Sequence, residues 1–158
     1  MKAAAVQMDV KILAKEHNLD QILSRLEQAV GAGAKLAVFP ECALSGYCFV
    51  SREEATPVAE EVPGPSTERI LAAARALDCT VVVGLLERAG DQIFNAAAVV
   101  TPQGILEHIA SCTFPASALT GMWRWVTSLF LSSRRRTQRS ASAFVTIAAF
   151  LNPGACSN

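Results

Sequence analysis

The sequence predicts an α/β layered domain, because short apolar runs typical of strands alternate with segments of helical periodicity. Two observations carry this prediction. A helical segment leads directly into the apolar run 36–39, and two further apolar runs, 80–87 and 93–101, are separated only by a polar turn. The last two runs indicate an antiparallel pair. The order over residues 1–101 is therefore strand, helix, strand, helix, strand, strand.

The first elements follow from local patterns. Ala3–Met8 is a short apolar run that predicts a strand. Asn18–Gly31 predicts a helix with one buried stripe, because its apolar residues recur at helical spacing: Leu19, Ile22, Leu23, Leu26 and Val30. Glycines then end this helix. The segment GAGAK at 31–35 is accordingly interpreted as a helix end, since Leu36 stands where a phosphate-binding loop needs Ser or Thr.

A turn and a second helix come next. The segment VPGPST at 62–67 contains the glycine and prolines of a turn. It offers Ser66 or Thr67 as the N-cap of a helix over Glu68–Leu77. The strand-like runs TVVVGLLE and IFNAAAVVT follow this helix.

The composition limits the number of domains and excludes some functions. A chain of 158 residues with 51% hydrophobic content can fill one core, and its zero formal net charge argues against a bulk nucleic-acid binder. All 14 acidic residues precede residue 109, whereas residues 109–158 carry arginines but neither lysine nor acid. This break predicts one domain over 1–108 and a separate, poorly packed or unstructured tail over 109–158.

Cysteine usage and hydropathy predict a cytoplasmic location. The 5 cysteines are odd in number, irregularly spaced and without a histidine cluster nearby. They are interpreted as reduced thiols, and not as a disulfide framework or a zinc site. No stretch reaches the roughly 18 apolar residues that a membrane span needs, and the N-terminus lacks the apolar region of a signal peptide.

Glu41 is the candidate functional residue. The run LAVF at 36–39 predicts a buried strand, Pro40 ends it, and a carboxylate follows at once, before a turn at Ser45 and Gly46. A buried carboxylate is costly unless it has a partner or a chemical role. Ligand sites of open α/β sheets lie beyond the carboxyl ends of strands, and this position makes Glu41 a candidate for chemistry.

Residues 1–107 contain five segments of a recognisable pattern: MKAAAVQMDV, NLDQILSRLEQAVGAGAKLAVFPECALSGY, VPGPST, VVVGLLER and IFNAAAVVTPQG. Together they resemble the nitrilase superfamily of carbon-nitrogen hydrolases. The block GAxLxVFPE followed by Gly-Tyr is the most specific part. The resemblance implies a four-layer αββα sandwich, of which this chain supplies the N-terminal half, followed by a non-family C-terminal tail.

The resemblance also implies a site and a reaction. Glu41 corresponds to the general base of a Glu-Lys-Cys site that hydrolyses an amide or nitrile through a thioester intermediate. Such a site uses no cofactor and no metal. The implied partners are a small amide or nitrile substrate and further copies of the same chain in a homo-oligomer, with no nucleic acid and no membrane.

The lysine and cysteine of that site are missing. The resemblance implies a segment like YRKxHLP soon after TPQG and a later segment like CYDxRFPE. Residues 109–158 contain no lysine, and neither Cys112 nor Cys156 lies in a matching segment. The chain as written is therefore predicted to be inactive.

A shift of the reading frame would account for the missing segments. A shifted reading frame builds each codon from the last base of one codon and the first two bases of the next. In that frame, the codons possible for residues 108–115 can encode YRKLHLP, those for residues 119–127 can encode DRYVEMGD, and those for residues 143–152 can encode ICYDCRFPE. The hypothesis is that the reading frame slipped near His108, so that residues 109–158 are an out-of-frame translation. Two alternatives stay open, a genuine divergent C-terminal segment and a non-catalytic αβ module that binds a partner or a small amide.

Overall fold

The computed structural model describes the backbone of residues 1–113 and the side chains of residues 1–106. Its strands and helices alternate as the sequence pattern predicts. In chain order they are β1 Ala3–Ala5, α1 Lys15–Gly31, β2 Leu36–Val38, α2 Arg52–Ala55, α3 Pro65–Leu77, β3 Thr80–Ala89, β4 Gln92–Thr101 and β5 Gly104–Thr113. A single 3₁₀ turn over Thr56–Val58 lies between α2 and α3.

The five strands form one mixed sheet in the order β1-β2-β3-β4-β5. The first three strands are parallel, with Ala37 opposite both Ala4 and Val81. The last three are antiparallel, as predicted for β3 and β4, and the β3–β4 pairing runs over nearly the whole of both strands. The long antiparallel ribbon gives the sheet a rigid centre beside the end of β2.

The two faces of the sheet carry different side chains because successive residues of a strand point to opposite sides. Along β3, Val81, Val83 and Leu85 belong to the main core with α1 and α3. The alternate residues Val82 and Leu86 belong to smaller apolar clusters on the opposite side, which contain residues of β2, β4 and the segment after β2. Gly84 lies between these two residues, and so on the face opposite the helices.

Several element boundaries differ from the sequence prediction, and strand β1 ends at Ala5 instead of the predicted Met8. Helix α1 begins at Lys15, one turn earlier than predicted, because its first turn lacks the apolar spacing that reveals the rest. Helix α3 is capped by Gly64 with Pro65 at its first position, and not by Ser66 or Thr67. The Thr67 hydroxyl instead accepts from the Gly64 amide at 2.8 Å and lies 2.9 Å from the Gly64 carbonyl oxygen.

Two further elements were not predicted. Helix α2 is short, and its first turn is held by the Ser51 hydroxyl, which accepts from the Glu54 amide. Strand β5 pairs with β4 and passes through the predicted boundary at residue 108, continuing to Thr113. The boundary itself, and the tail that it separates, stay a prediction, since residues 114–158 lie outside the described part.

Candidate active site

The segment after β2 carries Glu41 across the sheet and over β3. The Phe39 amide still donates to the Val82 carbonyl at 2.8 Å, which extends the parallel pairing to the residue before Pro40. The chain then crosses Gly84, whose amide donates to the Pro40 carbonyl at 3.3 Å and whose carbonyl accepts from the Leu44 amide at 3.3 Å. These contacts place the half-buried Glu41 at the carboxyl end of β2, as the sequence predicts.

Gly84 allows this crossing because it has no side chain. A Cβ atom at this position would lie 2.5 Å from the Cys42 amide nitrogen, 2.6 Å from the Glu41 Cα atom and 2.6 Å from the Pro40 carbonyl oxygen. All three are backbone atoms, which cannot rotate away. The close approach of two backbones therefore sets the position of Glu41 relative to the sheet.

The buried side chain of Asn18 holds the same segment from the helix side. Its Nδ2 donates to the Leu44 carbonyl at 2.9 Å and to the Lys11 carbonyl at 2.7 Å, and its Oδ1 accepts from the Lys11 amide at 2.9 Å. The Leu13 amide adds a bond to the Ser45 carbonyl at 3.0 Å. The side-chain amide of Asn18 thus joins the loop before α1 to the turn after Glu41, with its nitrogen and its oxygen both hydrogen-bonded.

Asn95 is the hydrogen-bonding partner of Glu41. It lies in β4 directly opposite Leu86, on the sheet face that Gly84 also occupies. Its Nδ2 donates to Glu41 Oε1. Its Oδ1 accepts from the Cys42 thiol at 3.5 Å. One carboxamide therefore connects the candidate base to the residue that follows it.

No cation neutralises Glu41 within residues 1–106, since none of the ion pairs in that range involves it. Glu60 shows the contrasting case of a buried structural acid. Its carboxylate pairs with Lys15 at 3.2 Å and accepts from both the Ser66 amide and the Ser66 hydroxyl at 2.9 Å. Glu60 anchors the start of α3 through these contacts, whereas the partner of Glu41 is the neutral amide of Asn95.

The groups around Glu41 are kept neutral. Burial, and then the nearby Glu41 carboxylate, raise the pKa of the Cys42 thiol well above its ordinary value. Burial, followed by Cys42 and Glu41, likewise raises the pKa of Tyr47. The Tyr47 hydroxyl makes no hydrogen bond of good geometry within the described residues, although Glu41 and Asn95 lie near enough to affect its ionisation. Cys42 is therefore a thiol and not a thiolate nucleophile.

These raised pKa values predict alkaline destabilisation. Below an ordinary thiol pKa of 9.0 the folded and unfolded states both keep the Cys42 proton. Above it the unfolded chain ionises and the folded chain does not, so the free energy of unfolding falls as pH rises. Tyr47 adds to the fall above its ordinary value of 10.0. Urea denaturation between about pH 8 and 10.5 measures the effect.

The matched variant for this test is Cys42→Ala, which should flatten the pH dependence in that window. A free energy of unfolding that stays constant or rises above about pH 9 would contradict buried, neutral groups around Glu41.

The structure brings together residues that sequence reasoning missed. Asn95 and Gly84 were both visible as exceptions, because one is a polar residue inside an apolar run and the other a glycine inside a strand. The segments that the family resemblance implies for the lysine and the cysteine would follow residue 107, and residues 109–158 of this chain contain neither segment. Their relation to Glu41 stays a prediction.

The prediction about cysteines is borne out only in part. Cys42 and Cys79 are free and buried, as expected of reduced thiols. Cys48 is disulfide-bonded, and the prediction is wrong for this residue. The side chains of Cys112 and Cys156 lie outside the described residues. Within the described part of the chain, no group of three or more His, Cys, Asp or Glu side chains is arranged to hold a metal ion.

Comparisons with known proteins identify the family. The family model described as carbon-nitrogen hydrolase matches residues 2–114. A nitrilase from Pyrococcus abyssi is 36% identical over 107 residues, covering 67% of this chain and 41% of that protein. An omega-amidase from Danio rerio is 33% identical over 106 residues, covering 66% of this chain and 37% of that protein.

Solved structures show the same fold. A CN-hydrolase superfamily protein from Xanthomonas campestris superposes with a TM-score of 0.60 at 26% identity, covering 69% of this chain and 39% of that one. An N-terminal amidase structure superposes with a TM-score of 0.61 at 24% identity, covering 69% of this chain and 27% of that one.

The chain belongs to the carbon-nitrogen hydrolase family, whose members include nitrilases and amidases. The predicted fold class, the N-terminal part of a nitrilase-like α/β sandwich, is confirmed for the described residues. The chain spans less than half the length of the curated relatives named above. Among the described residues, no helix is both long and apolar enough to cross a membrane.

Proposed function

We propose that this chain is the N-terminal part of an enzyme that hydrolyses a small amide or nitrile, with Glu41 as its general base. The observation that carries the proposal is the environment of Glu41. It lies at the carboxyl end of β2, is half-buried, and has a neutral amide as its partner where a structural acid such as Glu60 has a lysine. A carboxylate without a paired cation is free to accept a proton.

The chemistry requires a thiol that this carboxylate can deprotonate. A cysteine thiol with a pKa of about 8.5 is mostly protonated at neutral pH, so a base is needed to produce the attacking thiolate. The thiolate adds to the amide carbon, and the protonated Glu41 returns its proton to the leaving ammonia. A lysine stabilises the charge that develops on the substrate oxygen.

The second half of the cycle uses the same carboxylate. The thioester formed in the first half is attacked by water, whose proton passes to Glu41 and then to the departing thiol sulfur. The carboxylic acid is released and the cysteine is regenerated. The lysine and the cysteine are supplied in this proposal by the segments YRKLHLP and ICYDCRFPE, which the shifted reading frame permits.

The frame proposal has a direct test. Sequencing the coding DNA across codons 105–115 should reveal that a single-base change near codon 108 restores an arginine-lysine pair in the shifted frame. A shifted frame that does not encode this pair would contradict the proposal, and the C-terminal segment would then be a genuine divergent sequence.

The present chain is proposed to be inactive, because residues 109–158 contain no lysine. Incubating the 158-residue protein with a panel of short amides and nitriles should give no ammonia above a blank. Ammonia release that disappears in Glu41→Ala would overturn this proposal. Binding of an amide without turnover would favour the non-catalytic module instead.

The finer properties follow from the same family membership. We propose a homo-oligomer as the assembled state, since members of this superfamily commonly pair. The cytoplasm is proposed as the location on other grounds, the free thiols of Cys42 and Cys79 and the N-terminal sequence. Size-exclusion chromatography with light scattering of the frame-restored protein tests the first, and a monodisperse monomer would contradict it.

A further inference from the structure

We propose that Asn95 is the positioning residue of the general base: its carboxamide holds Glu41 Oε1, so that Oε2 is the oxygen that accepts the thiol proton. This inference rests on the function proposed above, but the contact on which it depends can be tested without catalysis. Nothing in the motifs quoted from the sequence assigns a role to this asparagine.

The first argument is the direction of the hydrogen bonds. Asn95 Nδ2 donates to Glu41 Oε1, and Asn95 Oδ1 accepts from the Cys42 thiol. A carboxamide can rotate by half a turn and exchange its oxygen and nitrogen. The thiol donor favours the orientation with the oxygen towards Cys42, which leaves the amino group directed at Glu41. The raised pKa of Cys42 keeps that donor protonated.

The second argument is the rigidity of the platform. Asn95 lies in β4 with β3 on one side and β5 on the other. Its pairing with β3 is continuous through Asn95, which lies opposite Leu86, whereas the pairing with β5 shifts register between Phe94 and Asn95. A group on a central strand is held more closely than one on a loop, which suits a residue whose purpose is orientation. Glu41 itself is in a loop segment and needs such a support.

The third argument is the neutrality of the partner. A lysine or arginine in place of Asn95 would also orient the carboxylate, but an adjacent positive charge favours the ionised form of an acid and weakens it as a base. An amide orients without adding charge. Asn95 occupies Oε1, and Oε2 is the oxygen left for a substrate or a thiol, with the Tyr47 hydroxyl near enough to Glu41 for the carboxylate to affect its ionisation.

Nuclear magnetic resonance of the 158-residue chain with ¹⁵N-labelled asparagine tests the contact. The two side-chain amide protons of Asn95 should have well-separated shifts that move as pH is lowered through carboxylate protonation. The pH dependence should vanish in Glu41→Gln, which keeps an acceptor oxygen but does not titrate. If the side-chain amide shifts of Asn95 change neither with pH nor in Glu41→Gln, the proposal is overturned.

Kinetics of the frame-restored protein test the positioning role. Asn95→Leu, similar in size and without hydrogen bonds, should lower kcat by roughly 10- to 100-fold with little change in KM, because a misplaced base slows chemistry and not binding. Asn95→Ala provides a second variant, since it removes the donor to Glu41 without adding bulk. Gln92→Leu, at the exposed start of β4, is the matched control and should retain activity.

The outcomes separate the two proposals. An unchanged kcat in folded Asn95→Leu and Asn95→Ala would overturn the positioning role and leave the hydrolase proposal standing. A frame-restored parent without activity would overturn the hydrolase proposal, and the catalytic role of Asn95 with it, while the resonance experiment still decides whether the contact exists.

Discussion

Replacing Gly84 with alanine should destabilise the protein by about 3 kcal/mol, at the upper end of the range for overpacked cores. The added Cβ would lie within 2.6 Å of backbone atoms of Pro40, Glu41 and Cys42. Side-chain rotation cannot relieve contacts with backbone atoms, so the segment that carries Glu41 must move away from β3. Two hydrogen bonds of Gly84, to the Pro40 carbonyl and from the Leu44 amide, would weaken as it does.

Urea denaturation of the 158-residue chain measures this loss of stability. Gly31→Ala is the matched control, because a Cβ there meets nothing within 4 Å and the position is the last residue of α1. The control should be neutral or stabilising by about 0.5–1 kcal/mol, the gain expected from replacing a helical glycine. Equal stabilities for the two variants would contradict the close crossing of the Glu41 segment over β3.

Local patterns in the sequence predicted most of the fold. Helix α1 and strand β3 depend on the periodicity of their own apolar residues, and both include the predicted residues, although α1 begins one turn earlier and β3 ends two residues later. Glu41 was also found from a local signal, a carboxylate directly after a strand and a proline. Such features involve neighbouring residues only, so one sequence contains enough information to recognise them.

The surroundings of Glu41 depend on contacts between distant residues. Asn95 reaches Glu41 from another strand, and Asn18 binds the Leu44 carbonyl from α1. Neither contact has a local pattern. Gly84 and Asn95 each broke the apolar pattern of their strands, but a broken pattern does not say which distant residue approaches. Strand β5 runs across the composition break near residue 108, so a boundary based on composition divides it.

The role of Glu41 predicts the largest effect on activity. In the frame-restored protein, Glu41→Gln should lower the turnover of short amides by roughly 10²–10⁴-fold, because glutamine keeps the size of the side chain and cannot accept a thiol proton. Its melting temperature should hold or rise, since the half-buried charge of Glu41 has no cation partner in residues 1–106. Asn95 can still donate to the glutamine oxygen, so the segment should keep its position.

Glu68→Gln is the matched control, because Glu68 is exposed on α3, outside the site. It loses the same charge and should retain the activity of the parent.

The most direct measurement is therefore ammonia release from a panel of short amides by three frame-restored proteins, the parent, Glu41→Gln and Glu68→Gln, each with its melting temperature. The proposed function predicts an active parent, an active Glu68→Gln and a Glu41→Gln that is folded but inactive. A Glu41→Gln variant that keeps its activity and loses stability would show that Glu41 is a structural residue and not the base.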